Sequence, residues 1–281
     1  MTTLLAPQYV TVGGITLTSV DDFGVTWVME GFDGWGASSG TLAPKQKVRA
    51  GGAQGGLSYS QARTLTASGV CSAPSAALAS LALDRLINAC SLDDHALAVN
   101  ESGRSRWCTA RRDGEVIPTW TSPESFSWSV QWVAMDPRKL GSPLTGSTGL
   151  PSTSGGLTIP FAIPFAINSS VVSGQVSLTN PGNEVGPVQM RIDGPCTGPI
   201  ITHVGSGQRL AFSASFALAA GEFLLIDMEA QTAMAQGQST RANWITSRQW
   251  SGFPPGANTW AFAAAAHSAA QLTVTATPAD K

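Results

Sequence analysis

The run Ala219 to Phe262, A-A-G-E-F-L-L-I-D-M-E-A-Q-T-A-M-A-Q-G-Q-S-T-R-A-N-W-I-T-S-R-Q-W-S-G-F-P-P-G-A-N-T-W-A-F, decides how this chain is read. Phe223 to Asp227 reads as a strand, followed by a polar turn around Gly237 and a second run closed by Trp244 and Ile245. Phe253-Pro254-Pro255-Gly256-Ala257-Asn258 is then a corner, and Thr259 to Ala263 is a last strand. The segment offers neither a nucleophile with its base nor a metal cage. Gly256 and Asn258 read as residues that specify a fold, by turning the closing strands back on themselves.

The same rhythm extends on both sides. Val171–Leu178, Val188–Ile192, Ile200–Val204, Arg209–Phe216, Ala242–Ile245 and Leu272–Ala276 are further short strands, set off by turns such as Asn180-Pro181-Gly182-Asn183 and Asp193-Gly194-Pro195. About eight strands without a helix predict a jelly-roll β-sandwich over residues 158–281. Before it, residues 139–157 are rich in Gly, Ser, Thr and Pro without periodicity and read as a linker. Residues 1–138 then form a separate N-terminal domain.

That domain is also mainly β. Residues 9–20 alternate around Gly13-Gly14, a hairpin signal, and Val25–Met29 is a short strand. Residues 37–56 form an open loop with two Gly pairs and three cations, Lys45, Lys47 and Arg49. Arg63 to Val70 is a clear strand. Pro74 to Cys90 then changes period: Leu78, Leu81, Ala82, Leu86 and Ala89 recur at three- and four-residue spacing, which predicts a helix led in by Ser72 and Pro74. Leu83, Ile87 and Cys90 lie off that stripe, so the apolar face is broad. Ala96–Val99 and Ser105–Ala110 read as a strand pair, and Arg111 to Gly114 as a hairpin turn into Glu115–Pro118. Ser125 to Val133 alternates strictly, with Phe126, Trp128, Val130 and Trp132 on one face.

Composition narrows the function. Of 281 residues 43% are apolar, enough for real cores, while only 12% are charged, about half the usual share. Such a surface suits a subunit that buries much of itself in an assembly; the competing reading is a Ser/Thr-rich β protein that stays monomeric. A net charge of -2 gives no sign of general binding to nucleic acid or anionic membrane. Met1-Thr-Thr-Leu-Leu-Ala-Pro lacks a basic segment ahead of an apolar one, so no export signal is expected, and no stretch approaches a membrane-spanning length. Cys71, Cys90, Cys108 and Cys196 lack metal or disulfide-scaffold spacing and read as reduced, mostly buried thiols, with a Cys71–Cys90 bridge as the alternative.

His95, His203 and His267 each lack an acid or cysteine at ligand spacing, so structural roles and no metal are expected. The basic, Gly-rich loop has no phosphate-binding fingerprint. Asp227 and Glu229 share a strand face and are a candidate carboxylate pair for glycoside hydrolysis, against a solvated strand edge. Trp244, Trp250 and Trp260 are candidate sugar-stacking platforms, against core packing. No catalytic residue, cofactor or enzyme activity is expected.

With these residues in hand, the chain resembles the distal tail proteins of long-tailed bacteriophages. Asn180-Pro181-Gly182-Asn183 followed by Val188-Gln189-Met190-Arg191-Ile192-Asp193-Gly194-Pro195 is similar to one segment of that family. Gly221-Glu222-Phe223-Leu224-Leu225-Ile226-Asp227 is similar to a second, and Pro255-Gly256-Ala257-Asn258 with its following strand to the family's ending. The N-terminal domain resembles it through R-T-L-T-A-S-G-V and the helix carrying Arg85-Leu86. Phe253-Pro254 departs from the pattern, which has leucine ahead of P-G-x-N, and the C-terminus leaves no room for an added carbohydrate-binding module.

The resemblance implies a mainly β virion protein without enzymatic activity. It implies a tail-tube-like N-terminal β-sandwich with one helix and a galectin-like jelly roll behind it. Family members form hexameric rings at the tail tip, joining the tail tube protein to the tail hub or baseplate around the DNA channel, with no sequence-specific contact to the DNA. Within that picture Lys45, Lys47, Arg49, Leu83 and Ile87 are expected at or near ring contacts. The alternative is a carbohydrate-binding jelly-roll adhesin at the host surface.

Overall fold

Strict alternation in the N-terminal half becomes a curled sheet. The computed structural model describes residues 8–154, 170–172, 174–265 and 269–281, and divides into units of residues 1–141 and 142–280. In the first unit the elements are β1 (Gln8–Val12), β2 (Ile15–Thr16), β3 (Thr26–Asp33), β4 (Gly40–Leu42), β5 (Lys45–Gln46), β6 (Ala53–Gln54), β7 (Ser58–Ser60) and β8 (Arg63–Ser72). Then follow α1 (Ala76–Ala89), β9 (His95–Glu101), β10 (Arg104–Arg112), β11 (Ile117–Ser122), β12 (Ser125–Ala134) and β13 (Lys139–Leu140).

The main sheet runs β2-β1-β9-β10-β12-β8-β3, with β11 alongside β12. β10 is where it curls: its body pairs with β9, and its last residues, Arg111 and Arg112, cross to pair with Val133 and Trp132 of β12. The sheet thus forms a half-barrel whose apolar face is covered by α1. Trp27 sits at its centre, edge-on to Phe126 at 6.3 Å and to Trp128 at 6.4 Å, and Leu86, Ala82 and Ala79 of the helix are buried in the same core.

Several expectations shift. The helix begins two residues after Pro74, because Ser75 and not Ser72 caps it: the Ser75 hydroxyl accepts from the Leu78 N–H at 3.3 Å. Leu81, expected on the buried stripe, is 44% exposed, whereas Ala79 and Cys90 take its place inside. Small residues there let the helix lie close to the sheet, which rotates the larger Leu81 outward. β11 does not pair back onto β10 but forms its hairpin with β12. Asp113 N–H, donating to the Gln131 carbonyl at 2.9 Å, turns the chain away before such a pair can form.

The second unit contains β14 (Leu144–Gly149), β15 (Ser152–Ser154), β16 (Ser170–Val172), β17 (Gln175–Asn180), β18 (Val188–Asp193), β19 (Cys196–Thr197), β20 (Ile200–His203), β21 (Arg209–Phe212) and β22 (Ala217–Leu218). It continues with β23 (Phe223–Asp227), β24 (Thr232–Ala235), β25 (Ser239–Thr240), β26 (Ile245–Arg248), β27 (Gly256–Ala263) and β28 (Gln271–Ala276). Two antiparallel sheets, β14-β28-β18-β23-β24-β25 and β17-β27-β20-β21-β26, face each other as a β-sandwich. Their inner residues, among them Ile192, Leu224, Leu272 and Val274 on one side and Ile201, Trp260 and Phe262 on the other, make its core.

Leu144–Gly149, read as linker, is a strand paired along its whole length with β28. Its Gly/Ser/Thr composition hides an edge strand that exposes Thr145 and Ser147, buries Thr148 and takes its pairing from the neighbour's backbone. Ala242–Trp244, read as the start of a strand, is a single 3-10 turn closed by the Trp244 N–H to the Arg241 carbonyl at 3.0 Å, and the strand starts at Ile245. His267 and residues 155–157 of the expected linker lie outside the described residues.

The Pro-Pro-Gly-Ala-Asn corner behaves as its sequence requires. Gly256 has φ +93°, a conformation that L side chains adopt only with strain. Asn258, 3% exposed, donates to the carbonyls of Pro254 and Gly256, both at 2.8 Å, and its Oδ1 contacts His203 Nε2 at 3.0 Å. Since both amide hydrogens of Asn258 face carbonyls, its oxygen faces the histidine, and His203 donates from Nε2. Asn180 reaches the same corner from the other side, donating to the Phe253 carbonyl at 2.7 Å and the Glu184 carbonyl at 3.0 Å while accepting from the Gly182 N–H. Two buried asparagines from two turn motifs therefore hold one corner.

Candidate assembly surface

The loop with the three cations is an arm. β4 pairs with β7 and β5 with β6, and every residue from 39 to 62 is exposed. Lys45 lies in the outer ladder opposite Gln54, Lys47 donates its backbone N–H to the Gly52 carbonyl at 3.2 Å, and Arg49 is in the tip. Val48, between the last two, is 96% exposed, and Leu42, Leu57 and Tyr59 are exposed along the stem. The unit's own core gives these side chains no support.

At the base the arm is clamped. Arg63, the first residue of β8, is 2% exposed; its Nε and Nη2 donate to the Pro137 carbonyl at 3.0 and 2.9 Å, and its Nη1 to those of Gly34 and Gly36 at 2.8 and 2.7 Å. Lys139 Nζ, also buried, donates to the carbonyls of Trp35 and Gly36 at 3.0 Å each. Both cations lie by the Trp35 ring, at 5.8 and 5.6 Å from its centroid. Gly34 completes the turn: a Cβ there would stand 1.9 Å from the Thr64 carbonyl oxygen. Burial lowers the pKa of Arg63, yet a guanidinium stays charged at physiological pH and the carbonyl oxygens satisfy its donors. The Glu101 carboxyl is raised by burial but more strongly lowered by Arg106, Trp35 and Lys139, so it stays ionised near this cluster.

α1 presents a second exposed surface. By helical spacing Asp84 lies at the centre of its outward face, with Leu81 and Ile87, 44% and 40% exposed, to either side. Leu83 is half-buried and packs partly on the core. On the Leu81 side the turn at residues 21–24 is locked to the helix. Asp21 accepts from Arg85 at 2.6 Å and from the N–H groups of Phe23 and Val25 at 2.9 and 3.0 Å, and the Arg85 guanidinium lies 4.5 Å over the Phe23 ring. Burial pushes the Asp21 carboxyl up, but the Val25 N–H, Arg85 and the Phe23 N–H outweigh it and hold its pKa below the ordinary value. Beside this face an open cleft of about 400 Å³ is lined by Gly13, Gly14, Ile15, Arg85, Asn88, Ala89, Ser91 and His95.

A third feature is the sheet face turned away from the core. Ser125, Ser127, Ser129, Gln131 and Val133 of β12 alternate outward with Thr64, Thr66, Ser68, Val70 and Ser72 of β8, and Val28, Glu30 and Asp33 are exposed on β3. Arg111 of β10, opposite Val133, lies on the same face and is ion-paired with Asp94 at 2.8 Å. β11 and β3 flank this part of the sheet on opposite sides, and from Val28 onward neither outer edge is paired among the described residues.

The sugar-platform candidates separate. Trp260 is fully buried, its ring beside His203 and Phe253 and its N–H donating to Ser251 at 3.1 Å, so it has no face to offer a ligand. Trp250 is half-buried against the core, and Trp244 is 41% exposed at the 3-10 turn. Asp227 serves a turn: it accepts from the N–H groups of Glu229 and Ala230 at 3.0 and 2.8 Å and from Gln189. All four cysteines are free and buried, and burial pushes Cys71, Cys90 and Cys108 up to about 12 and Cys196 to about 11. Among the described residues no group of His, Cys, Asp and Glu could hold a metal ion. Arg63 and Lys139 were missed from sequence. The signal existed for Arg63, which shares the inward parity of Leu65, Ala67 and Cys71.

A half-barrel carrying α1 and a long arm, with a two-sheet sandwich in the second unit, is similar in fold to a phage Dit protein of known structure. Among solved structures the SPP1 Dit protein, described as a paradigm of the hub adsorption apparatus in phages infecting Gram-positive hosts, matches with a TM-score of 0.67 at 12% identity, over 97% of this chain and 99% of that one. The phage p2 baseplate in its activated conformation matches with calcium at 0.54 and 11% identity, and with strontium at 0.51 and 10%, each over 95% of this chain and 97% of the matched one. No protein-family model and no curated protein matches the sequence.

Proposed function

We propose that the protein is a structural component of a phage tail tip, forming a closed ring, six-membered as the resemblance implies, that joins the tail tube to the tail hub or baseplate around the DNA channel. The observation that carries this reading is the likeness of fold to the SPP1 Dit protein over nearly the whole of both chains. On this reading the chain is made in the host cytoplasm and built into the virion at the tail tip.

The first unit has the parts a ring needs. Two edges on opposite sides of one sheet, β11 and β3 from Val28 onward, unpaired among the described residues, favour head-to-tail pairing of copies, and head-to-tail contacts close into rings when the rotation permits. The outward face, rich in Ser, Thr and Gln, with Glu30 and Asp33 at its margin and its cation Arg111 ion-paired with Asp94, suits a channel wall along which a polyanion slides without being held. Lys45, Lys47, Arg49 and Ile87 are then contact residues on arm and helix. Leu83, packed partly on the core, supports the helix from beneath.

Light scattering of the purified full-length chain, alone and with the tail tube protein of the same phage, tests this. A discrete species near six subunits is expected. A monomer in both conditions that instead binds glycans through Trp244 or Trp250 would make the adhesin reading the correct one.

A further inference from the structure

We infer that the arm tip, Lys47-Val48-Arg49, docks on the outward face of α1 in a second copy of this chain. The inference rests on the ring reading and names the two surfaces that meet in it.

Charge is the first argument. From Gly34 to Leu83 the sequence has no acidic residue, so the arm's Lys45, Lys47 and Arg49 are unopposed, while the whole chain carries a net charge of -2. The remainder is therefore acidic, and another copy is an electrostatically suitable partner. The outward face of α1 and the turn beside it carry two such carboxylates. Asp84 stands at the centre of that face, Asp22 lies in the turn locked beside it through Asp21 and Arg85, and neither makes an ion pair among the described residues.

Apolar surface is the second. Val48 is 96% exposed with a cation on each side; Asp84 is a carboxylate with the exposed Leu81 and Ile87 on each side and Phe23, 51% exposed, nearby. The pattern of one surface is the inverse of the other. The contact cannot be made within one chain by the arm as it stands, because its residues are exposed throughout. Two different patches meet, so the contact is head-to-tail and propagates from copy to copy.

Charge reversal tests this on the full-length chain, with ring content read by native mass spectrometry and folding by thermal melting. Lys47→Glu/Arg49→Glu and Asp22→Lys/Asp84→Lys should each lower the ring fraction at least tenfold without moving the melting temperature. The four changes combined in one chain should restore rings, and so should an equimolar mixture of the two double variants, in which each arm finds a complementary face. Wild-type rings with no rescue in either format overturn this contact and leave the ring reading standing. A wild-type chain that stays monomeric alone and with tail tube protein overturns both.

Discussion

The carbonyl oxygen of Gly36 accepts hydrogen bonds from two buried cations at once, Arg63 at 2.7 Å and Lys139 at 3.0 Å. Arg63 opens the strand that follows the arm and Lys139 comes from the end of the unit, so this one carbonyl fixes where the arm leaves the half-barrel. The arm has no core of its own, and its direction is set at this clamp.

Replacing Arg63 with Met should therefore be costly. It strips donors from the carbonyls of Gly34 and Pro137 and leaves Gly36 with Lys139 alone, and the loss should be about 2–3 kcal/mol, the scale of two part-buried acceptors left unpaired. Urea unfolding of the full-length chain measures it, and the transition that moves should be that of the first unit.

The corner of the second unit gives a parallel test. Asn258→Ala removes two donors from the Pro254 and Gly256 carbonyls and the partner of His203, for an expected loss of roughly 2–3 kcal/mol. Gly256→Ala, which forces a side chain into φ +93°, should cost about 1–2 kcal/mol. The second transition should move in both variants.

Acid should weaken the first unit through Asp21. Its folded pKa is below the unfolded value, so the unfolded chain binds more protons between the two. Its stabilisation is complete above about pH 4, the ordinary aspartate range, and is lost as pH falls through the folded pKa. Asp21→Asn should be less stable at neutral pH and should flatten the acid limb of the stability–pH curve.

The thiols should be silent in the folded protein. With Cys71, Cys90 and Cys108 pushed to about 12 and all four cysteines buried, a thiol reagent at pH 8 should label none of them until denaturant is added, and then all four. Rapid labelling of the native chain would contradict their burial.

Much of this was legible in the residues. The alternation Phe126-Trp128-Val130-Trp132, the Gly13-Gly14 hairpin and the Pro-Pro-Gly-Ala-Asn corner each express a local rule that the fold obeys. Local rules failed where a neighbour decided. Leu144–Gly149 has linker composition and is a strand because β28 pairs with it; Leu81 has core periodicity and faces out because Ala79 and Ala82 make the close approach. The arm looked unstructured because cross-strand backbone pairing leaves no signature in Gly- and Ser-rich sequence. The clamp was half legible: Arg63 sits at an inward position of its strand, but nothing in the sequence brings Lys139 to the same carbonyl.

Negative-stain imaging of the purified full-length protein, alone and mixed with the tail tube protein of the same phage, tests the central claim most directly. The account predicts rings of about six subunits around a central hole, seated on tube ends when tube protein is present. Single particles without a hole, and tube ends left bare, would contradict it.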